Sequence, residues 1–567
     1  MIIGIDLGTT NCACAVFRGE GVEMIPNSLG QTLTPSAVSV DDKGFIITGL
    51  AARERQSTHA EQTVTAFKRY MGSKKSFHIG KRSFTPDELS ALMLRSLKAD
   101  AETFLGGPIE GAIITVPAYF NDTQRKATRR AGELAGLNVK RLINEPTAAA
   151  LAYGIHKRGA DTRYLVFDLG GGTFDVSILE LFENVIEVRS SAGDNRLGGE
   201  DFNDVLIEMA KRRFAAELGG KIKEDGELHQ RLREAAERTR RALTEAQSTT
   251  FSIVWKGKGH SFEVSADAFE QAAEGLVARL RDPVLKALRD SNIAADRLDE
   301  IILVGGATRM PLIRRAVTRM FGRFPSASVN PDEAVAYGAA VQAALMTRDA
   351  ALNELVMTDV CPYSLGVDTS EGQAGGPMIS GLFAPIIERN TTIPASRERY
   401  FTTVADNQPY VSFGIYQGES RWVRDNIELG RLEIPVPRMR AGQVRVDCRL
   451  SYDVNGLLEV DVHVPTTGKR NQLVIVDKGA LSDEDLAARR SALAALKVHP
   501  RDSDSVRATV ARAGRCYENA LGEVRDHINR LITQFEMTLE GQDPRACEAG
   551  RVELELVLDS IEGRSFL

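Results

Sequence analysis

The sequence predicts a multi-domain chain: a duplicated α/β region first, an all-β region second and a helical region last. Three observations predict this. Asp-Leu-Gly followed by threonine occurs twice, in DLGTT (Asp6 to Thr10) and DLGGGTFD (Asp168 to Asp175), each time after a β-branched apolar run. Apolar residues change to a two-residue period around 444–464, and to three- and four-residue steps around 521–535. With 567 residues and roughly 150 per domain, the chain has material for about three or four cores.

In the first region strand-like and helix-like segments alternate. GAIITVPAYF precedes the helical NDTQRKATRRAGELAG, and YLVFDLGGG precedes DVSILELFENVIEVRSSAG, which reads as a hairpin. Such alternation predicts helices packed on sheets. The repeated motif predicts two related halves, each opening with a strand, a turn and a return strand, with a cleft between them. Gly170, Gly171 and Gly172 each forgo roughly 0.5–1 kcal/mol relative to alanine. The backbone there is therefore expected to approach something closely or to adopt positive φ. Glycine loops with threonine and aspartate suit phosphate chemistry: N–H donors and hydroxyls for anionic oxygens, and carboxylates for a hydrated divalent ion. Neither loop has the GxxxxGK[ST] spacing of a Walker A motif.

After the helical PDEAVAYGAAVQAAL, the apolar and acidic stretch ALNELVMTDVCP reads as a linker closed by Pro362. In the second region Val444, Val446, Cys448, Leu450 and Tyr452 alternate with mostly polar residues. DVNG then turns the chain, and Leu458, Val460, Val462 and Val464 resume the pattern. In the third, LSDEDLAARRSALAALK carries an acidic first turn. Leu521, Val524, Ile528, Leu531 and Phe535 form a stripe read as packing against a neighbouring helix.

Composition narrows the function. The chain is 43% hydrophobic and 26% charged with a net charge of -6, and it has no long basic run. This argues against nucleic acid and against an anionic membrane surface as partners. MIIGIDLGTT begins at once with a strand-like run, so no secretion leader is expected. No apolar run approaches the roughly 20 residues of a membrane span. Six scattered cysteines fit a reducing compartment, and cytoplasm is the expected location. Cys12 and Cys14 read as strand packing residues, and the histidines show no ligand spacing.

The stretches IGIDLGTTN, TAFKRYMG, TVPAYFNDTQRKAT, INEPTAAALAYG, VFDLGGGTFDVSIL, AGDNRLGGEDFN, ILVGGATRMP and NPDEAVAYGAAVQAA follow one another in that order. Through them the sequence resembles the seventy-kilodalton heat-shock chaperones of the DnaK type over nearly its whole length. The resemblance implies an actin-like, two-lobed ATPase domain over 1–349, a linker over 350–360, a β-sandwich peptide-binding domain over 361–480 and a short helical lid over 481–567. A sugar kinase or an actin-like filament protein would share the duplicated fold but would not need the β region.

Residue by residue, the resemblance implies ATP or ADP with Mg²⁺, and allows K⁺ beside it. Asp6 and Asp168 would hold the metal through water. Thr9, Thr10, Asn11, Gly170, Gly171, Gly172, Gly198 and Gly199 would surround the phosphates. Lys68 would orient the attacking water, with Glu145, Asp175 and Thr173 completing the catalytic shell. Glu237, Arg240, Arg241, Thr244, Gly305, Gly306, Arg309 and Asp332 would meet ribose and adenine, Arg309 lying on the ring face. Arg240 stands where lysine is usual, and Ala307 where many relatives have a polar side chain.

The same resemblance assigns coupling between nucleotide and linker to Pro117, Arg125 and Asp359, and a J-domain contact to Arg141. Thr358 replaces a usual linker leucine, which predicts weaker docking. Val411 would line the peptide pocket, Phe401, Phe413 and Val367 would build its walls, and Gln408 and Thr402 would meet the peptide backbone. Ser370 and Val404 take the positions of the arch over the peptide. Unfolded or extended polypeptides are the implied clients, with a J-domain co-chaperone and room for a nucleotide exchange factor, and the working form is expected to be a monomer. The short lid and the opening DLGTTNCACAVF look most like the specialised bacterial HscC branch. A shortened lid is expected to release peptide faster.

Overall fold

The computed structural model describes residues 1–564 except 20, 57, 155–160, 183–184, 219–225, 327–329, 348–355, 373–377, 476–486, 488–489, 492, 495 and 498. The start of the expected linker and the first turn of the expected lid thus lie outside the described residues. Two compact units account for the chain. The first holds Met1–Tyr363 and Arg389–Ile393, and the second holds Ser364–Glu388, Pro394–Val476 and the C-terminal helices.

The predicted duplication is present in the first unit as two sheets built alike. In one, Ile2–Asp6 pairs antiparallel with Asn11–Arg18, which pairs with Gly21–Ile25, while Gly111–Val116 lies parallel on its other side. In the other, Thr162–Leu169 pairs antiparallel with Phe174–Phe182, which pairs with Val185–Asp194, while Glu300–Val304 lies parallel. The hairpin read in DVSILELFENVIEVRSSAG is the second of these antiparallel pairs. Cys12 and Cys14 are buried strand residues.

Two helices fill the space between the sheets, Glu145–Gly154 and Ala334–Met346, both nearly all alanine and small apolar residues. Small side chains let backbones meet. A Cβ on Gly338 would stand 1.6 Å from the Ala148 carbonyl oxygen, and one on Gly4 2.2 Å from the Ala340 nitrogen.

The second sheet carries one more strand. Val356–Val360 runs parallel to Val185–Asp194, and its end pairs antiparallel with Thr392–Ile393. The described part of the expected linker is this strand. The edge of Val185–Asp194 offers unpaired N–H and C=O groups that an apolar extended segment can satisfy.

The second unit contains two four-stranded antiparallel sheets. One runs Ile379–Ile387, Leu365–Glu371, Tyr410–Gln417, Ile427–Pro435; the other runs Ala395–Thr402, Arg445–Tyr452, Leu458–Val464, Lys469–Ile475. The expected alternation is realised, with Val444, Val446, Cys448, Leu450, Leu458, Val460, Val462 and Val464 all buried. Asp453 shapes the intervening turn by accepting the N–H groups of Asn455 and Leu457 at 2.8 Å each.

Three helices follow, Asp504–Asn519, Gly522–Glu540 and Pro544–Arg564. Ala513, Ile528, Phe535, Leu539, Leu554 and Leu558 form their shared core, with Leu531 packed against it. Leu521 and Val524 depart from the expected stripe, being 80% and 47% exposed. Leu521 sits in extended backbone before the helix begins, so it is off the helical period. Between the second and third helices Gln542 takes a left-handed φ of 53°. Its side-chain amide donates to the Glu398 carbonyl at 2.7 Å and accepts the Glu398 N–H at 3.1 Å, on the outermost strand of the second sheet. At another point of that sheet Glu459, 1% exposed, takes Arg490 at 2.5 Å and Lys497 at 2.7 Å.

Candidate active site

The two Asp-Leu-Gly turns face each other in the first unit and border a cavity of about 260 Å³. It is lined by Asp6, Thr9, Thr10, Asn11, Lys68, Glu145, Asp168, Gly170, Gly171, Thr173, Gly199, Glu237, Arg240, Arg241, Thr244, Gly305, Gly306, Arg309 and Asp332. The lining also includes Gly8, Leu33, Glu200, Ala307, Pro331 and Val335, of which only Ala307 was singled out from sequence.

The three successive glycines do different work. None has positive φ; close approach is the reason for two of them. A Cβ on Gly171 would fall 1.8 Å from Thr10 Oγ1, and one on Gly172 would fall 2.7 Å from Arg69 Cγ and 2.9 Å from Thr9 Cγ2. The two loops therefore touch. Gly170 has more room, with Thr173 O at 3.7 Å. The loop is braced from behind by the start of the helix Gly199–Leu218, where Gly199 N–H donates to Gly170 O and Glu200 N–H to Gly171 O, both at 2.9 Å.

Gly172, Gly198 and Asp175 stand next to the lining residues rather than among them. A Cβ on Gly198 would meet Gly172 N at 2.5 Å, so these two glycines pack on each other behind the lining. Asp175, 1% exposed, turns one oxygen to the Tyr119 N–H at 3.1 Å.

At the floor Lys68 donates to Glu145 Oε1 at 2.7 Å, both groups being buried. Glu145 begins a helix, where the peptide dipoles favour a carboxylate. Burial alone would lower the Lys68 pKa, but the charges of Glu145 and Asp6 outweigh it and raise it. Asp6, Asp168 and Asp175 are raised as well, which for an acid disfavours the charged form. Burial and the Glu145 charge push Asp6 up to about 7, against the pull of Lys68 and a Thr115 hydrogen bond. Burial, then Glu145, raises Asp175 to about 8 and holds Asp168 well above the usual carboxylate range.

Four carboxylates beside one lysine are a surplus of negative charge. Oδ2 of Asp168 and Oδ2 of Asp175 are buried without a hydrogen-bond partner. These are conditions a hydrated divalent cation relieves, so the residues present fit one. Among the described residues no three carboxylate, histidine or cysteine groups converge as direct metal ligands, and the fit is therefore to a cation held through water.

The opposite rim is built on the helix Gly226–Ala242. Glu237 accepts from Arg240 and Arg241 at 2.6 Å each and from Asn203 at 3.0 Å. Burial opposes its ionisation, yet the two guanidinium groups hold its pKa at about 2. Arg309 donates to Asp332 at 2.6 Å and to Asn330 at 2.9 Å, in-plane bonds that fix the guanidinium at the cavity and leave its face open. Gly305 has φ 82°, and a Cβ added there would stand 2.3 Å from Leu169 O, so only glycine lets this turn lie so close.

Two of the residues expected to couple nucleotide and linker, Arg125 and Asp359, meet through Asn144, which the sequence does not single out. Asn144 accepts from Arg125 at 2.6 Å and donates to both oxygens of Asp359, at 3.1 and 2.9 Å. Asn144 immediately precedes Glu145, so the extra strand is one residue away from the Lys68 pair. Burial, above all, raises the Asp359 pKa, and Arg141 and Arg125 pull it down. Pro117 ends the strand Gly111–Val116 and its carbonyl accepts the Phe120 N–H at 3.1 Å.

In the second unit Val411 and Phe413 alternate into the core side of Tyr410–Gln417, and Val367 is fully buried opposite Ile415. Phe401, from the other sheet, meets Phe413 edge-on at 5.3 Å. Gln408 holds its own loop, accepting Val404 N–H at 2.9 Å and donating to Tyr410 O at 2.9 Å. Thr402 and Val404 are exposed, and Ser370 donates to Ser380 at 3.1 Å. No helix among the described residues is long and apolar enough to cross a membrane.

A family model described as Hsp70 protein matches residues 2–79 and 75–556. The chain is 42% identical over 496 residues to the chaperone protein DnaK of Thermotoga neapolitana, covering 86% of this chain and 82% of that one. Identity and coverage are the same for the chaperone protein DnaK of Thermotoga maritima. The chain belongs to the Hsp70 family, and it is an ATP-dependent chaperone.

Proposed function

We propose that ATP and ADP occupy the cavity between the two Asp-Leu-Gly turns and control capture of extended apolar polypeptide in the second unit. Domain limits of 1–349, 350–360, 361–480 and 481–567 go with this reading. Thr9, Thr10, Asn11, Gly170 and Gly171 offer N–H and hydroxyl donors to the phosphates, and Thr173 meets the terminal one. The surplus of buried carboxylate suits Mg²⁺ held through water by Asp6 and Asp168, with K⁺ allowed beside it; such ions supply charge neutralisation on the phosphates. Lys68, fixed by Glu145, orients the attacking water, and Asp175 completes the polar shell. The work of the protein is placement and electrostatics, as in other phosphoryl transfer to water. Glu237, Arg240, Arg241, Thr244 and Asp332 hold the nucleoside, and Arg309, fixed by Asp332, lays its guanidinium face on the adenine ring.

The observation that carries the coupling is the Arg125, Asn144, Asp359 chain. It ties the added strand to the residue before Glu145, so that nucleotide and linker can bias one arrangement. Peptide would enter beside Val411, between Phe401 and Phe413 on one side and the Gln408 loop on the other. Ser370 and Val404 make a smaller arch than long apolar residues would. Arg141 is the proposed J-domain contact, an exchange factor is compatible with the open cleft, and a cytoplasmic monomer of the HscC type, serving few clients, fits the short helical region. The deciding measurement is the affinity of a labelled extended apolar peptide in ATP against ADP. Weaker binding in ATP is expected, and equal affinities would remove the coupling.

A further inference from the structure

The strand Ala395–Thr402, outermost in its sheet, is occupied along one half of its outer edge and open along the other. The backbone of Glu398 faces away from Arg445–Tyr452, because its N–H and its carbonyl are both bonded to the Gln542 amide, at 3.1 and 2.7 Å. In an antiparallel pair that orientation recurs at every second residue, so Ser396, Tyr400 and Thr402 face outward as well. The Ser396 carbonyl accepts from the Arg397 guanidinium at 3.1 Å. Among the described residues, none bonds the N–H or the carbonyl of Tyr400 or Thr402 on this edge. Burial changes at the same place. Ala395 and Ser396 are buried, Arg397 and Glu398 are half-buried, and Arg399, Tyr400 and Thr402 are exposed, Tyr400 to 61%.

The amide at this boundary is firmly placed. Gln542 is 7% exposed, and its left-handed φ of 53° is a conformation that a residue other than glycine keeps only where its surroundings impose it. Its N–H donates to Leu539 O at 3.1 Å, and the next residue, Asp543, accepts the N–H groups of Arg545 and Ala546 at 2.9 and 3.0 Å. The turn is thus fixed by the two helices it joins. On the strand side, Arg449 donates to the Glu398 carboxylate at 2.9 Å and holds that residue to the neighbouring strand.

We propose that Gln542 sets the length of extended polypeptide that pairs with this strand. A segment whose backbone meets Thr402 continues, at the strand repeat, to Tyr400. Its next position is Glu398, about 14 Å from Thr402, where the amide already holds both backbone groups, so pairing stops at Tyr400. Recognition at these outer positions is through the main chain and tolerates any side chain except proline. This rests on the reading that the peptide backbone meets Thr402, and adds the residue that ends the contact.

The test uses the full chain in ADP and labelled extended peptides, lengthened residue by residue on each side of a central leucine from about five to about eleven residues. Q542G frees the Glu398 pair and keeps the turn, since glycine takes a left-handed φ without steric cost. For the wild type, affinity is expected to stop rising once the peptide reaches Tyr400. For Q542G it should rise further, about fivefold for each added backbone bond, on one side of the peptide only, with the shorter peptides bound as by wild type. N-methylation of the added residue should abolish the gain. The same plateau in both proteins would overturn the proposal. So would a change of equal size at every length, since Gln542 would then serve only to hold the helices in place. T402P removes an outward N–H and leaves the pairing with Arg445–Tyr452 intact. Unchanged binding of every peptide to T402P would remove the reading that the backbone meets Thr402, and the comparison of wild type with Q542G would still decide the role of Gln542.

Discussion

The two sheets of the first unit begin as copies and end differently. In the first, the hairpin ends at Gly21–Ile25, a five-residue strand. In the second, the corresponding strand Val185–Asp194 has ten residues, and its outer edge receives Val356–Val360. Length makes the difference, because a longer edge leaves backbone donors and acceptors that another segment can satisfy. A duplicated fold thus yields one half that ends in itself and one half that can register the state of a segment outside it. The cavity between them follows the same division: the first half supplies Lys68 and Asp6, the second Asp168 and Thr173.

Removing the cation of the first half should have the largest effect. Lys68→Ala is expected to lower the hydrolysis rate about 10²- to 10³-fold and to destabilise the fold, because Glu145 is left buried and unpaired. Single-turnover hydrolysis and thermal unfolding measure the two effects, and near-normal hydrolysis would place the water-orienting group elsewhere.

The acid of the second half gives a change of opposite sign in stability. The folded pKa of Asp175 lies near 8, above its unfolded value. Its contribution to stability is therefore full below about pH 4 and is lost as the pH rises toward 8. Asp175→Asn should stabilise the nucleotide-free protein at pH 7 by ~2–4 kcal/mol while reducing hydrolysis. The gain should vanish near pH 4, and unfolding curves at the two pH values check it.

The contact between the halves is tested by adding single methyl groups. Gly171→Ala must displace Thr10 and should cost ~1–3 kcal/mol along with ATP affinity. Gly170→Ala meets only an ordinary contact and should bind nucleotide nearly as wild type. Equal behaviour in a nucleotide titration would mean that the loops separate without cost.

The smallest effect sharpens the edge itself. Thr358 Oγ1 is buried in the added strand without a hydrogen-bond partner. Thr358→Val removes that group and should favour docking by ~1 kcal/mol, read as faster peptide release in ATP. Slower or unchanged release would show that the hydroxyl does not oppose docking.

Much of this arrangement was legible in the residues. Asp-Leu-Gly repeats after β-branched runs, the hairpin from Phe174 onward and the two-residue period around Val446 and Val460 each encode local structure, and local structure is what short-range pattern carries. Asn144 and Tyr119 were not legible because their partners, Asp359 and Tyr363, lie far along the chain. Val356–Val360 has too few residues to show a period, and only the open edge of Val185–Asp194 makes it a strand. The glycines were half legible: the sequence required closeness or positive φ, and only the fold reveals Thr10 and Thr9 as the neighbours.

The amide of Gln542 has a consequence for a protein that handles unfolded chains. The strand Ala395–Thr402 is the last in its sheet, and such an edge recruits any extended segment, including that of another copy. By offering one donor and one acceptor to Glu398, Gln542 imitates a neighbouring strand for the length of a single residue. At that residue the N–H and C=O of the edge are already taken, so another extended segment finds no free pair there, a few residues before Phe401 and Thr402.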